Sequence, residues 1–134
     1  MSNGNADWPA QGARAVLVDS VAELRAGDAR CLAVTGSHGG ISAGRYALAA
    51  RPLLVVFNDA GVGKDAAGIA ALDFLQQHQI AACAVLHASA RIGEARSTLE
   101  QGIIGHANAV AARLGAAPGM RCNQLIDALT RRTA

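Results

Sequence analysis

The sequence predicts a single-domain α/β protein: a three-layer α/β/α sandwich around a mainly parallel sheet of about four strands. Four short runs of the chain are almost entirely apolar, as in strands that are covered on both faces. Each run is followed by a polar turn and then by a stretch with helical spacing, which is the order of repeated strand–helix–strand units. The predicted strands cover residues 15–18, 31–34, 53–57 and 81–86.

Three helices are expected between these strands. Ser20 can cap a short first helix that ends at Gly27. The second covers residues 41–50 and stops before Pro52, because a residue that precedes proline avoids the helical region. The third begins at a cap formed by Asp65, and its apolar residues recur on one face until position 79.

Two further helices are expected after the last strand. Ser97 and Glu100 form a capping-box pattern, and the helical spacing continues from there to Leu114, just before Gly115. The last helix spans roughly residues 120–132. Residues 1–13 are polar and are expected to form a flexible segment, so the single domain is predicted over residues 14–134.

Composition favours some function classes over others. Hydrophobic residues make up 51% of the chain and charged residues only 16%, so apolar surface is expected to be left over for a homo-oligomeric interface. The net charge of +2 comes from dispersed arginines, which argues against nucleic-acid binding. Without an apolar run of membrane-spanning length, and with three scattered cysteines, the protein is expected to be cytoplasmic, with no membrane partner and no metal site.

The candidate chemistry lies on loops that follow the predicted strands. The carboxyl ends of parallel strands meet at one edge of a sheet, and open α/β sheets bind ligands there, where the strand order reverses. The first such loop contains Ser37, His38, Gly39 and Gly40. Its glycines would allow the backbone to approach an anion closely, but a tight turn explains them equally well. His38 is suited to proton transfer.

The second loop, residues 58–65, differs from a P-loop at both ends, because Asn58 and Asp65 replace the required glycine and hydroxyl residue. Lys64 is the only lysine beside eleven arginines, which favours a base, a nucleophile or a compact charge over a surface lysine. Asp59 follows a buried strand directly and is predicted to be catalytic. Asn58 is predicted to bind substrate, although it could equally form a turn.

The third loop, residues 87–94, combines a hydroxyl, a guanidinium and a carboxylate. Arg91 suits a substrate carboxylate, and Ser89 suits a substrate hydrogen bond or a helix cap. Glu94 is assigned to the substrate site as well, with a local ion pair as the simpler interpretation. His87 could lie inside or outside the pocket, whereas His78 and His106 are expected on helices as surface or packing residues.

The strand–loop–helix order resembles flavodoxin-like and other small doubly wound, Rossmann-like domains in architecture. The first loop lacks a hydroxyl-rich phosphate cradle, and the pattern G-x-G-x-x-G is absent after the first strand, so no flavin, dinucleotide or other cofactor is expected. We expect an enzyme for a small, anionic, carboxylate-bearing or amide-like metabolite, with hydrolysis ahead of lyase or isomerase chemistry. The alternative is a non-enzymatic subunit that binds phosphate or a nucleotide within a larger complex.

Overall fold

The computed structural model describes residues 12–131, which form an α/β fold on one five-stranded sheet. Strands β1 to β4 run parallel to one another, and β5 is antiparallel to β4. The prediction of a mainly parallel α/β fold is confirmed, with five strands where about four were expected. The strands are β1 (Ala15–Val18), β2 (Leu32–His38), β3 (Leu54–Asn58), β4 (Ala81–Val85) and β5 (Ile104–Ala107).

Helices cover both faces of the sheet, as three layers require. One face packs against α1 and α2, where Val55 and Phe57 of β3 meet apolar residues such as Leu75. The other face packs against α3, α4 and α5, where Val56 and Leu125 belong to a second apolar cluster. The helices are α1 (Ile41–Ala50), α2 (Ala70–Gln76), α3 (Ala95–Gln101), α4 (Ala109–Arg113) and α5 (Cys122–Thr130).

The helix expected over residues 97–114 is wrong, because α3, β5 and α4 occupy that stretch. At Gly102 the chain passes against its neighbours so closely that a Cβ atom would contact the carbonyl oxygen of Thr98 and the side chain of Val85. Asn108 then starts α4, since its Oδ1 accepts the N–H of Ala111 at 2.9 Å. The strand between these two breaks adds the fifth member of the sheet.

Two shorter segments also differ from the prediction. The first helix is a pair of 3-10 turns, Val21–Glu23 and Ala26–Asp28, although Ser20 caps the first of them as expected. The third helix begins as a 3-10 segment, Lys64–Ile69, and Asp65 lies inside it with a φ of 55° instead of capping it. Both segments follow strands, so they shape the edge of the sheet where a site was expected.

The spatial order of the strands is their order along the chain, β1-β2-β3-β4-β5. Within the described residues there is therefore no reversal of strand order to open a crevice, and any site must be built by the loops themselves. The predicted flexible segment, residues 1–13, lies largely outside the described residues, while Ala13 is buried. None of the helices in residues 12–131 combines the length and hydrophobicity that crossing a bilayer requires.

Candidate functional site

A buried carboxylate lies directly beyond the carboxyl end of β3. Asp59 is only 2% exposed, and its Oδ1 accepts the backbone N–H groups of Gly61 at 2.8 Å and His87 at 2.9 Å. The other oxygen, Oδ2, lies 3.0 Å from Nε2 of His106. Both carboxylate oxygens thus have polar partners, as a buried charge requires.

The hydrogen bonds around Asp59 keep it ionised. Burial alone would raise the pKa of this carboxyl, but the N–H groups of Gly61, His106 and His87 outweigh burial and hold the pKa below its usual value. An ionised carboxylate can only accept hydrogen bonds, so Nε2 of His106 must carry the hydrogen between them. In neutral His106 the unprotonated ring nitrogen is therefore Nδ1.

A second imidazole approaches the same carboxylate. Nδ1 of His87 lies 3.5 Å from Oδ1 of Asp59, and the His87 side chain is 63% exposed. His87 lines a shallow groove of about 750 Å³ together with Ser89, Arg91 and Glu94. This groove, which we call the His87 groove, is lined by a histidine that lies near a buried carboxylate and by a guanidinium.

Arg91 is available to an anionic ligand in the His87 groove. Its side chain is 80% exposed, and its contact with Glu94 is a loose pair with 4.0 Å between Nη1 and Oε2. Its backbone is held by Ser97, whose Oγ accepts the Arg91 N–H at 2.9 Å. The same Oγ donates to Oε1 of Gln101 at 2.7 Å. The Oε1 atom is therefore engaged, and the Gln101 NH₂ group is the part of this side chain that can donate to a ligand in the groove.

His106 opens onto a different groove. It lies on β5, opposite Ala84 of β4, and its side chain is 28% exposed. The His106 groove has a volume of about 530 Å³, and its lining includes the carboxylates of Asp65 and Asp73. The expectation that His106 lies on a helix is wrong, and the signal that could have revealed the strand is the isoleucine pair between Gly102 and Gly105.

The segment that encloses Asp59 has an unusual backbone. Six of its seven residues 60–66 have positive φ, and four of these are not glycine. Val62, with a φ of 67°, is the most strained, because β-branched residues rarely adopt this conformation. Its N–H donates to the backbone carbonyl of Asp59 at 2.7 Å, and the Gly61 N–H donates to the carboxylate, so the strained segment folds back onto Asp59. Backbone strain of this kind clusters at functional sites.

The glycine-rich segment after β2 is built for packing. Residues up to His38 belong to β2, and Ser37 Oγ accepts the N–H of Val21 at 2.9 Å. A Cβ atom on Gly36 would contact the backbone of Gly93 and Glu94, and one on Gly39 would lie 2.8 Å from the carbonyl oxygen of Gly68. These two glycines allow strands and loops to approach closely, without positive φ.

His38 is exposed and lies apart from the His87 groove. Its Nδ1 accepts the N–H of Gly40 at 3.1 Å. With Gly40 and Ile41 it lines a third groove of about 450 Å³, whose other wall includes Ala60 and Val62. The structure therefore does not bring His38 into one groove with Arg91.

The remaining candidates divide between structural and exposed positions. Asn58 is fully buried and joins two loops, since its Nδ2 donates to the Ala90 carbonyl at 3.2 Å and its Oδ1 accepts the Ala60 N–H at 2.8 Å. Ser89 Oγ donates to the Leu86 carbonyl at 2.7 Å. Lys64 is exposed and lines none of the three grooves. Asn58 and Ser89 thus hold the loops in place.

Within residues 12–131, no group of three histidine, cysteine or carboxylate side chains is arranged to hold a metal ion. Around Asp59, a buried carboxylate that contacts an imidazole fixes which ring nitrogen carries the hydrogen, an arrangement that is compatible with proton transfer. No protein-family model, no curated protein and no solved structure matches the chain.

Proposed function

We propose that the protein is an enzyme that hydrolyses a small, carboxylate-bearing amide or ester, with His87 as its general base. The observation that carries this proposal is the ionised Asp59 carboxylate, 2% exposed and in contact with two imidazoles. A buried charge of this kind is costly and is well suited to orienting and supporting a catalytic histidine.

In this mechanism Asp59 determines how His87 acts. The 3.5 Å approach of Nδ1 to Oδ1 tightens when substrate fills the groove, as apo contacts between catalytic groups commonly do. The hydrogen then stays on Nδ1, and Nε2 is left with a lone pair that faces the substrate. His106 bonds the other carboxylate oxygen and keeps Asp59 in place.

Substrate recognition falls to the other residues of the His87 groove. Arg91 binds the substrate carboxylate through paired N–H groups, and the Gln101 NH₂ donates to the carbonyl that is attacked. His87 takes a proton from the attacking water and returns it to the leaving group, so the acyl–nitrogen or acyl–oxygen bond breaks with the addition of water. Proton abstraction in a lyase or isomerase would use the same base.

The test uses two chromogenic amides that differ in one group. The mono-4-nitroanilide of succinic acid carries the carboxylate that Arg91 is proposed to bind, whereas 4-nitroacetanilide lacks it. We expect release of 4-nitroaniline from the first compound at a rate at least tenfold above that from the second. Arg91→Gln should remove this preference, and His87→Gln should abolish the release.

Arg131→Gln is the matched control, because Arg131 lies on the surface at the end of α5 and pairs with Asp127. This variant should retain full activity. The proposal is contradicted if neither anilide nor the corresponding 4-nitrophenyl esters are hydrolysed, or if the His87→Gln enzyme turns them over at the parent rate.

A further inference from the structure

The two edges of the sheet are protected differently. The outer side of β5 is occupied by its own chain, since Ile104 donates to the Met120 carbonyl at 2.8 Å and Gly119 donates to the Ile104 carbonyl at 2.7 Å. Ile103 also forms an isolated antiparallel bridge with Arg121. On β1, at the other edge, no strand among residues 12–131 pairs with the outer side.

The sequence of β1 lacks the features that usually prevent a further strand from pairing with a sheet edge. Sheet edges are usually protected by charges, proline, bulges or a covering element. The four residues of β1 are Ala-Val-Leu-Val, without a charge or proline, and the pairing of β1 with β2 is regular. Ala15 and Leu17 are both exposed, Leu17 to 42%. An open edge with these properties is suited to adding a strand.

The pairing of β1 with β2 shows which backbone groups are free. Ala15 is the Cα partner of Leu32, whose N–H donates to the Arg14 carbonyl at 2.8 Å. In a parallel ladder this means that Arg14 and Val16 direct their backbone groups at β2, so the groups of Ala15 and Leu17 point outward. The backbone groups of Ala15 and Leu17 point outward and those of Val16 between them point inward. An antiparallel strand with the same sequence can therefore pair with this edge.

We propose that a second copy of this chain occupies the open edge, with the two β1 strands antiparallel about a two-fold axis. Ala15 of each copy then exchanges hydrogen bonds with Leu17 of the other copy. The two Val16 residues, one from each copy, lie opposite each other at the two-fold axis. The two sheets become one continuous sheet of ten strands. This surface is distinct from the grooves around Asp59, so it does not depend on the proposed activity.

The charges at the ends of β1 favour this antiparallel direction. Arg14 precedes the strand and pairs with Asp28 at 3.3 Å, with 59% of its side chain still exposed, whereas the Glu23 carboxylate lies beyond the end of the strand, 3.3 Å from the backbone nitrogen of Ser20. Antiparallel pairing brings Arg14 of one copy towards Glu23 of the other at both ends of the interface, and parallel pairing would bring like charges together. A second copy is therefore a better occupant than an unrelated neutral strand.

Light scattering of the purified full chain tests the assembly. The wild type should be a dimer, and Leu17→Pro should raise the dimer dissociation constant at least tenfold, because it removes an outward N–H from each copy. Proline is tolerated on an edge strand where its nitrogen faces solvent, and circular dichroism verifies that the variant is folded. Ile92→Lys, which changes another exposed apolar residue, should leave the dimer intact.

Cysteine crosslinking tests the register without relying on the proline variant. Facing Val16 residues at the axis form a non-hydrogen-bonded pair with Cα atoms about 4.5 Å apart, within the range of a disulfide. Val16→Cys should therefore yield a covalent dimer on mild oxidation, whereas Leu17→Cys should not. A wild-type protein that is monomeric at about 100 µM, where a weak dimer would still form, would overturn the proposal. So would a dimer that Val16→Cys fails to crosslink.

Discussion

Replacing Asp59 by asparagine isolates the charge of the buried carboxylate. An asparagine Oδ1 can still accept the N–H groups of Gly61 and His87, which both bond the same oxygen of Asp59. The asparagine NH₂ replaces Oδ2 and can donate to Nε2 of His106 once that ring adopts its other tautomer. A hydrogen bond to a charged group contributes about 1.5–3 kcal/mol and a neutral one about 0.5–1.5 kcal/mol, so two bonds lose about 2 kcal/mol in total. Relief of the buried charge offsets part of this loss, and we expect Asp59→Asn to lower the free energy of unfolding by about 1–2 kcal/mol at pH 7.

The stabilisation by Asp59 should decrease in acid. Because the folded pKa of Asp59 lies below the unfolded value of about 3.9, the carboxylate stabilises the fold fully above that value. The stabilisation is lost as the pH falls through the folded pKa, so wild type and Asp59→Asn should converge in strongly acidic solution.

Urea unfolding followed by circular dichroism at pH 7 and at pH 3 measures both quantities. Asp73→Asn is the control, because Asp73 is exposed at the rim of the His106 groove and should change the unfolding free energy by less than about 0.5 kcal/mol. An Asp59→Asn protein as stable as the wild type at pH 7, or a stability difference that persists unchanged at pH 3, would show that the charge of Asp59 does not stabilise the fold.

Three further experiments test a loop hydrogen bond, a close backbone contact and the burial of the cysteines. Ser89→Ala should cost about 1–3 kcal/mol in thermal melts, because the Ile103 N–H loses its acceptor; an unchanged melting temperature would contradict this. Gly68→Ala should cost about 3 kcal/mol, since a Cβ atom would meet the Asp59 carbonyl, whereas Gly27→Ala should be nearly neutral. Burial raises the pKa of three thiols, so Ellman's reagent at pH 8 should label them only after unfolding, and fast labelling of the native protein would exclude this burial. They are Cys31, with a pKa of about 11, Cys122, with a pKa of about 12, and Cys83, with a pKa well above the usual value.

The strands were the most predictable part of the chain. Continuous apolar runs such as residues 81–85 can hardly be anything other than buried strands when turns flank them. The same logic located Asp59, because a polar residue directly after a buried strand must lie at the sheet edge. Its burial and its two histidine contacts were not predictable, since they arise from loops that are distant in sequence.

His106 was missed because helix and strand patterns overlap in a short apolar stretch. Residues 97–114 place apolar side chains three and four positions apart, and a glycine within such a pattern is often tolerated in a helix. Gly102 instead ends α3 with an extended backbone, a φ of −65° and a ψ of 137°, and its close contacts with Thr98 and Val85 leave no room for a side chain. That packing depends on the assembled sheet and leaves little trace in the local sequence.

The glycine-rich segments were recognised from the sequence, but the reason for their glycines was not. The sequence indicates that Gly36 and Gly39 are needed for space or conformation, and both a ligand and a neighbouring backbone fit that requirement. In the structure the neighbours are backbone. Positive φ occurs in the next loop, at Gly61 and Gly63 and also at non-glycine residues such as Ala60 and Val62, whose side chains give no indication of it. Strain of this kind is imposed by the fold around Asp59.

Long-range ¹H–¹⁵N NMR of the histidine rings tests the central role of Asp59 most directly. At a pH where the rings are neutral, we expect opposite tautomers, with the hydrogen on Nδ1 in His87 and on Nε2 in His106, because each of these nitrogens faces the carboxylate. His→Gln variants assign the signals, and Asp59→Asn should move the hydrogen of His106 from Nε2 to Nδ1, because the asparagine NH₂ then takes the place of Oδ2 and can only donate. An Nε2–H tautomer of His87 in the wild-type protein would contradict the proposal that Asp59 orients it as a base.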